Sequence, residues 1–217
     1  MQLLLVRHAL PLRSEYGQGS DPDLSDVGLT QAARLPAALA RFTLARIVSS
    51  PQRRACHTAA PVAAVRQLPV EVDERFAEYD RELPGYVPTE QIRDVYPAEW
   101  ARMLRGQLPS SVDEAGFRSR VGAAVTDLVT TAEPGQTVVV FSHGGVINVV
   151  LQEILGTARP LSFRIDYASI TRLLFSRSGQ VTVAGVNCTE HVWDLLPSNR
   201  EKFRAEGAVV DKSDEFR

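Results

Sequence analysis

Two short apolar runs, each closing on a histidine, constrain this chain more than any other feature. Leu3-Leu4-Leu5-Val6 leads into Arg7-His8, and Val138-Val139-Val140-Phe141 leads into Ser142-His143-Gly144-Gly145. Runs of this length and make-up read as strands buried on both faces, the mark of a parallel sheet covered by helices. In open α/β sheets ligands bind at the carboxyl ends of strands. Both histidines are therefore expected to face one crevice, although 135 residues separate them.

The rest of the pattern fills in around these strands. A polar loop covers residues 13–23, and Leu29, Ala32, Ala33 and Leu35 mark a helix over 29–41, with Pro36 discordant. Residues 45–49 read as a second strand. Ser50 as N-cap and Pro51 at the first helical position open a helix reaching about residue 65. A short strand follows at 70–72. Residues 74–106 are rich in Pro, Tyr and charge, with helical pieces near 90–95 and 99–104; they read as a cap inserted over the crevice. An amphipathic helix over 112–131 is broken by Glu133-Pro134-Gly135. A helix over 144–155 ends at Gly156, and 169–176 with 180–186 form a hairpin at the sheet edge. Residues 198–217 form a charged tail or loose helix. These elements predict one domain over 1–217, a three-layer α/β/α sandwich with a mostly parallel central sheet.

Composition removes several classes of function. Lys and Arg number 24 against 26 Asp and Glu, a formal charge of −2, which supports no nucleic-acid or anionic-membrane partner. No apolar stretch approaches the roughly 20 residues of a membrane helix. The opening apolar run is too short for a signal peptide, and two cysteines, Cys56 and Cys188, make no disulfide framework or zinc pattern. The expected home is the reducing cytoplasm. A homodimer through a sheet edge or the cap is the assembly considered.

Two histidines with an arginine suit the handling of a phosphoryl group. Arg matches the faces of a phosphate dianion with paired N–H donors. Arg7 adjoins His8, and Arg53 and Arg54 lie early in the helix after the second strand, where N-terminal N–H groups also favour an anion. A neutral imidazole held as one tautomer is a competent nucleophile toward phosphorus. Gly144 and Gly145 would let backbone approach the ligand. The leaving alcohol needs a proton donor, and the acidic stretch Asp73 to Asp80 offers candidates, Glu78 among them.

Five stretches in order resemble the signatures of the histidine phosphatase superfamily, the phosphoglycerate mutase-like family. Arg7-His8-Ala9 is similar to its Arg-His-Gly. Leu24-Ser25-x-x-Gly28-x-x-Gln31-Ala32 is similar to its Leu-Ser/Thr-x-x-Gly-x-x-Gln-Ala. Ser49-Ser50-Pro51-Gln52-Arg53-Arg54-Ala55-Cys56-His57-Thr58-Ala59 resembles Ser-Ser-Pro-x-x-Arg-Ala-x-x-Thr-Ala. Phe76-Ala77-Glu78 resembles the Leu-x-Glu of the proton donor, and Ser142-His143-Gly144-Gly145 the second catalytic histidine. The resemblance implies that His8 is the phosphorylated nucleophile, that Arg7, Arg54 and His143 bind the phosphoryl group, and that Glu78 is general acid and then base. It implies no metal and no cofactor. The implied activity is that of a phosphatase on small phosphate esters; alternatives are a phosphoglycerate mutase-type transfer or a non-catalytic phospho-ligand binder of the same fold.

The chain departs from the family at Ala9, at Leu10-Pro11-Leu12-Arg13-Ser14-Glu15 and at Ser110-Ser111-Val112-Asp113-Glu114-Ala115. It also departs after Glu78, where Tyr79-Asp80-Arg81 replaces a Gly-rich, Trp-containing loop. Family members line the pocket with the second and third of these segments, so the resemblance implies the reaction and not the ester. Arg13, Tyr16, Tyr79 and Arg81 are candidate substrate contacts. His57 reads as a helix-surface or packing residue, Cys56 as a small buried residue, Trp100 and Trp193 as packing residues, and His191 has too few partners at fitting spacing to be a metal ligand.

Overall fold

A six-stranded sheet in the order β3-β2-β4-β1-β5-β6 organises the molecule. The computed structural model describes residues 1–12, 21–81 and 89–199. The strands are β1 (Gln2–Arg7), β2 (Leu44–Ser49), β3 (Val70–Val72), β4 (Thr137–Ser142), β5 (Ile170–Phe175) and β6 (Val181–Cys188). The pairs β1–β4, β2–β4 and β2–β3 are parallel. β5 runs antiparallel to β1 and carries β6 as the expected edge hairpin.

Alternation along the strands divides the core into two layers. Leu3, Leu5, Val138 and Val140 pack with Val121 and Leu128 of α5 (Glu114–Thr131) and with Val146 and Val150 of α6 (Gly144–Leu155). On the opposite face Leu4, Val6, Val139 and Phe141 pack with Ala32 and Leu35 of α1 (Asp26–Ala38) and with Ala59 and Val62 of α2 (Arg53–Arg66). The chain leaving β1 thus turns to one face and the chain leaving β4 to the other. A crevice opens where adjacent strands part in this way. The register pairs Val6 with Phe141 and Arg7 with Ser142, and His8 N–H donates to the Ser142 carbonyl at 2.8 Å. The two histidines are consequently neighbours at the sheet's end.

Some element boundaries differ from the sequence pattern for identifiable reasons. α1 begins at Asp26 rather than 29 because Ser25 Oγ accepts from Gly28 N–H at 3.1 Å, capping the turn earlier. It ends at Ala38, so Pro36 sits in its last turn. Ser50 is not the cap of α2: the N-cap is Gln52, whose side chain makes no capping bond, and the helix starts at Arg53. In the cap region two short helices form, α3 (Thr89–Val95) and α4 (Pro97–Leu104), near the expected positions. α6 spans the expected residues and ends at Gly156, whose φ of 64° is the left-handed closure expected there. Apart from 198 and 199, the charged tail lies outside the described residues, as do Arg13 and Tyr16.

Candidate active site

The ends of β1 and β4 open onto a cavity of about 600 Å³ whose wall includes Arg7, His8, Arg54, Glu78, Tyr79 and Asp80. The His8 and His143 rings lie 5.1 Å apart, centroid to centroid, tilted at 57°. His8 is nearly fully buried and His143 wholly so. His8 Nδ1 stands 2.8 Å from the Ala9 carbonyl oxygen. A carbonyl only accepts, so Nδ1 carries the proton and Nε2 keeps its lone pair. Ala9 is itself fixed: its N–H donates to Thr58 Oγ1 at 2.9 Å, and that hydroxyl donates to the Arg54 carbonyl at 2.7 Å. Burial first, then the Arg54 and Arg7 charges, hold His8 well below the ordinary histidine range, so the ring is neutral. The same causes, burial foremost, keep His143 neutral.

The hydroxyl that was expected to cap α2 serves the second histidine instead. Ser50 Oγ lies 2.7 Å from His143 Nε2, while His143 Nδ1 has no hydrogen-bond partner among the described residues. The start of α2 is likewise taken: Arg53 N–H donates to Asp21 Oδ2 at 2.7 Å, so the carboxylate of Asp21 occupies the place expected for a ligand anion.

Arg7 is oriented by two groups near β5. Its Nη1 donates to the Ile165 carbonyl at 2.6 Å, and its guanidinium stacks 3.9 Å above the Tyr167 ring. Arg54 is fully buried; its Nη2 donates to both oxygens of Asp80 at 2.9 Å, and its Nη1 lies 3.4 Å from Asp21. Arg53, by contrast, is exposed and paired with Asp23.

Glu78 sits on a stretch pinned from both sides. Arg120 of α5 donates to the carbonyls of Arg75 and Ala77 at 2.7 and 2.9 Å, and the Glu78 N–H donates to Gln52 Oε1 at 2.7 Å. Its carboxyl accepts from the Gly145 N–H at 2.8 Å and the Tyr79 N–H at 3.1 Å. Burial above all, then the Asp80 charge, pushes its pKa up to about 7. Gly145 has a different use from the expected one. A Cβ there would run into Glu78 Oε1 and the Tyr79 ring, so the glycine makes room for these side chains rather than for a ligand.

The remaining candidates divide. Tyr79 lies on the cavity wall, edge-on to Phe117. Arg81 does not: it is turned to the surface and paired with Glu74. Trp100, expected to pack, lies on the cavity wall, and Trp193 is 56% exposed rather than packed. His57 is half-exposed beside Asp23, and His191 Nε2 donates to the Ala168 carbonyl at 3.0 Å. Cys56 is half-buried, its thiol donating to the Ser50 carbonyl. Sequence reasoning missed Ser50, Gln52, Asp80 and Tyr167 as members of the site. The first two stood in the Ser-Ser-Pro-Gln-Arg-Arg motif, and Asp80 in the acidic stretch, so the signal was present without the partners that give it meaning. Among the described residues no cluster of three or more His, Cys, Asp or Glu could hold a metal ion, and no helix is long and apolar enough to cross a membrane.

Sheet order, paired histidines and flanking arginines define a phosphoryl-handling α/β protein. The family model for the histidine phosphatase superfamily (branch 1) matches residues 3–189, and the chain belongs to that superfamily. It is 30% identical over 205 residues to phosphoserine phosphatase 1 of Hydrogenobacter thermophilus, covering 90% of this chain and 96% of that protein. It is 28% identical over 186 residues to the glucosyl-3-phosphoglycerate phosphatase of Mycolicibacterium vanbaalenii, covering 71% and 74%. The solved structure of a mycobacterial glucosyl-3-phosphoglycerate phosphatase is similar with a TM-score of 0.72 at 26% identity, over 86% of this chain and 98% of that one.

Proposed function

We propose that this histidine phosphatase hydrolyses small phosphate monoesters through a phosphohistidine on His8, without a metal ion or cofactor. The observation that carries the reading is the His8 Nδ1–H bond to the Ala9 carbonyl, which leaves Nε2 unprotonated in a cavity shared with Arg7 and Arg54. The relatives named for phosphoserine and for glucosyl-3-phosphoglycerate support small esters as substrates.

In the first step Nε2 attacks phosphorus and the bond to the ester oxygen breaks. Arg7 and Arg54 meet the charge on the equatorial oxygens, and His143 Nδ1 supplies a further polar contact. The departing alkoxide takes the Glu78 proton, which a pKa of about 7 leaves in place near neutrality. In the second step water attacks phosphorus and gives a proton to Glu78, the P–Nε2 bond breaks, and neutral His8 returns as phosphate leaves. The same reading takes residues 1–217 as one catalytic domain, with the 74–106 segment as a cap. It places the protein in the cytoplasm, in keeping with two unpaired cysteines.

The test is phosphate release from a panel of monoesters in EDTA, with His8→Ala in parallel and the phosphoenzyme trapped by acid-free quenching. Turnover and labelling that vanish together in the variant are expected. Full activity in His8→Ala overturns the mechanism, and turnover only with a bisphosphorylated primer replaces hydrolysis with mutase-type transfer.

A further inference from the structure

The cavity has two unlike ends. The end at the strands is polar and charged. The outer wall carries Trp100 and Met103 from α4, and Leu161 and Phe163 from the segment before β5. All four are only partly buried, so their apolar surface faces the cavity.

The polar side chains on this same wall are engaged with protein groups. Asn148 donates from Nδ2 to the carbonyls of Gly144 and Phe163, both at 3.0 Å, and accepts from the Phe163 N–H at 2.9 Å. Asp166 accepts from Arg164 Nε at 2.9 and 3.0 Å and from Asn187 Nδ2 at 2.9 Å. Arg164 also reaches Ser198 Oγ at 3.1 Å. An ammonium here would have to compete with Arg164 for Asp166, and a carboxylate would meet Arg164 only at its solvent-exposed guanidinium, where an ion pair gains little. A flat apolar alcohol would instead cover the exposed side chains and gain in proportion to the area it buries. A cavity of about 600 Å³ has room for a ring beside the phosphoryl group.

We propose that the wall of Trp100, Met103, Leu161 and Phe163 selects phosphate monoesters of flat apolar or aromatic alcohols over those of small ionic alcohols. The inference rests on the phosphomonoesterase reading above. It sets this chain apart from the relative named for phosphoserine, despite the shared family.

The test must separate wall contacts from leaving-group reactivity. The esters are therefore all alkyl: 2-phenylethyl phosphate, glycerol 3-phosphate and phosphoserine. The phenylethyl ester is expected to show a kcat/KM about tenfold or more above the other two. In Trp100→Ala and Phe163→Ala that preference collapses toward one, chiefly through KM, while inhibition by inorganic phosphate persists as the sign of an intact phosphoryl site. Met103→Ala serves as the milder change should either variant fail to fold. Equal or better turnover of phosphoserine or glycerol 3-phosphate by the unaltered protein overturns the inference while leaving the phosphatase reading standing. So does a preference that survives all three substitutions. Absence of turnover and of phosphoenzyme with every ester removes both.

Discussion

The strand ends and helix α4 are held in contrasting ways. At the strand ends Arg54, Ser50 and His143 are fully buried; Ser50 after β2 is bonded to His143 after β4, and Thr58 links Ala9 after β1 to the Arg54 carbonyl in α2. α4 of the cap has no buried residue, and Leu104 on it is 68% exposed. Local opening costs least where few apolar contacts are buried. The spacing of the reacting groups is therefore lost only with the fold, whereas the wall contributed by α4 can shift without it. Chemistry and choice of alcohol are assigned to parts of different rigidity.

Three further substitutions press on this contrast. The largest effect belongs to Glu78→Gln, which should slow turnover of alkyl esters by roughly 100- to 10,000-fold. The sign of the pH dependence follows from Glu78 acting while protonated. Its pKa of about 7 makes kcat/KM fall as pH rises past neutrality, and the variant should lack that descending limb. A limb unchanged in Glu78→Gln would mean that another acid delivers the proton. On the acid side His8 stays neutral below the ordinary histidine range, so no loss from protonation of the nucleophile is expected near pH 6.5.

Asp80→Asn should have a smaller effect. The charge of Asp80 is the second cause, after burial, of the raised Glu78 pKa, and its oxygens hold Arg54 Nη2. Removing the charge should move the descending limb to lower pH and reduce activity at pH 8 by about threefold to tenfold. A pH profile that keeps its midpoint would show that burial alone sets the Glu78 proton. Smallest is Leu104→Ala, on the solvent side of α4. Chemical denaturation should register a change within about 0.5 kcal/mol, and kcat/KM should stay at its starting value. A larger loss in either would mean that the cap is as tightly coupled to the sheet as the active site is.

Much of the fold was legible because the β1, β4 and α6 patterns depend on local periodicity. The placement of His8 and His143 at one sheet end followed from those same runs. What stayed hidden depends on groups far apart in sequence. Ser50 reads as a cap until β4 is known to lie beside β2, which brings His143 to its hydroxyl. Asp80 was one carboxylate among several until Arg54 and Gln52 selected it. Trp100 has the composition of a packing residue, and only the docking of α4 over the crevice turns it to the cavity. Gly145 was read as serving a ligand because sequence does not show that Glu78 and Tyr79 fill the space beside it.

The bond that fixes the tautomer of His8 ends on the carbonyl of Ala9, not on a side chain. The departure from the family's glycine at this position therefore leaves the proton's address untouched, because every residue carries the same peptide oxygen. Alanine scanning would pass over this anchor, since what fixes the proton on the proposed nucleophile is held in the path of the main chain. Erasing it takes a change in that path, and Thr58, which grips the Ala9 amide from α2, is the side chain through which the path is most directly disturbed.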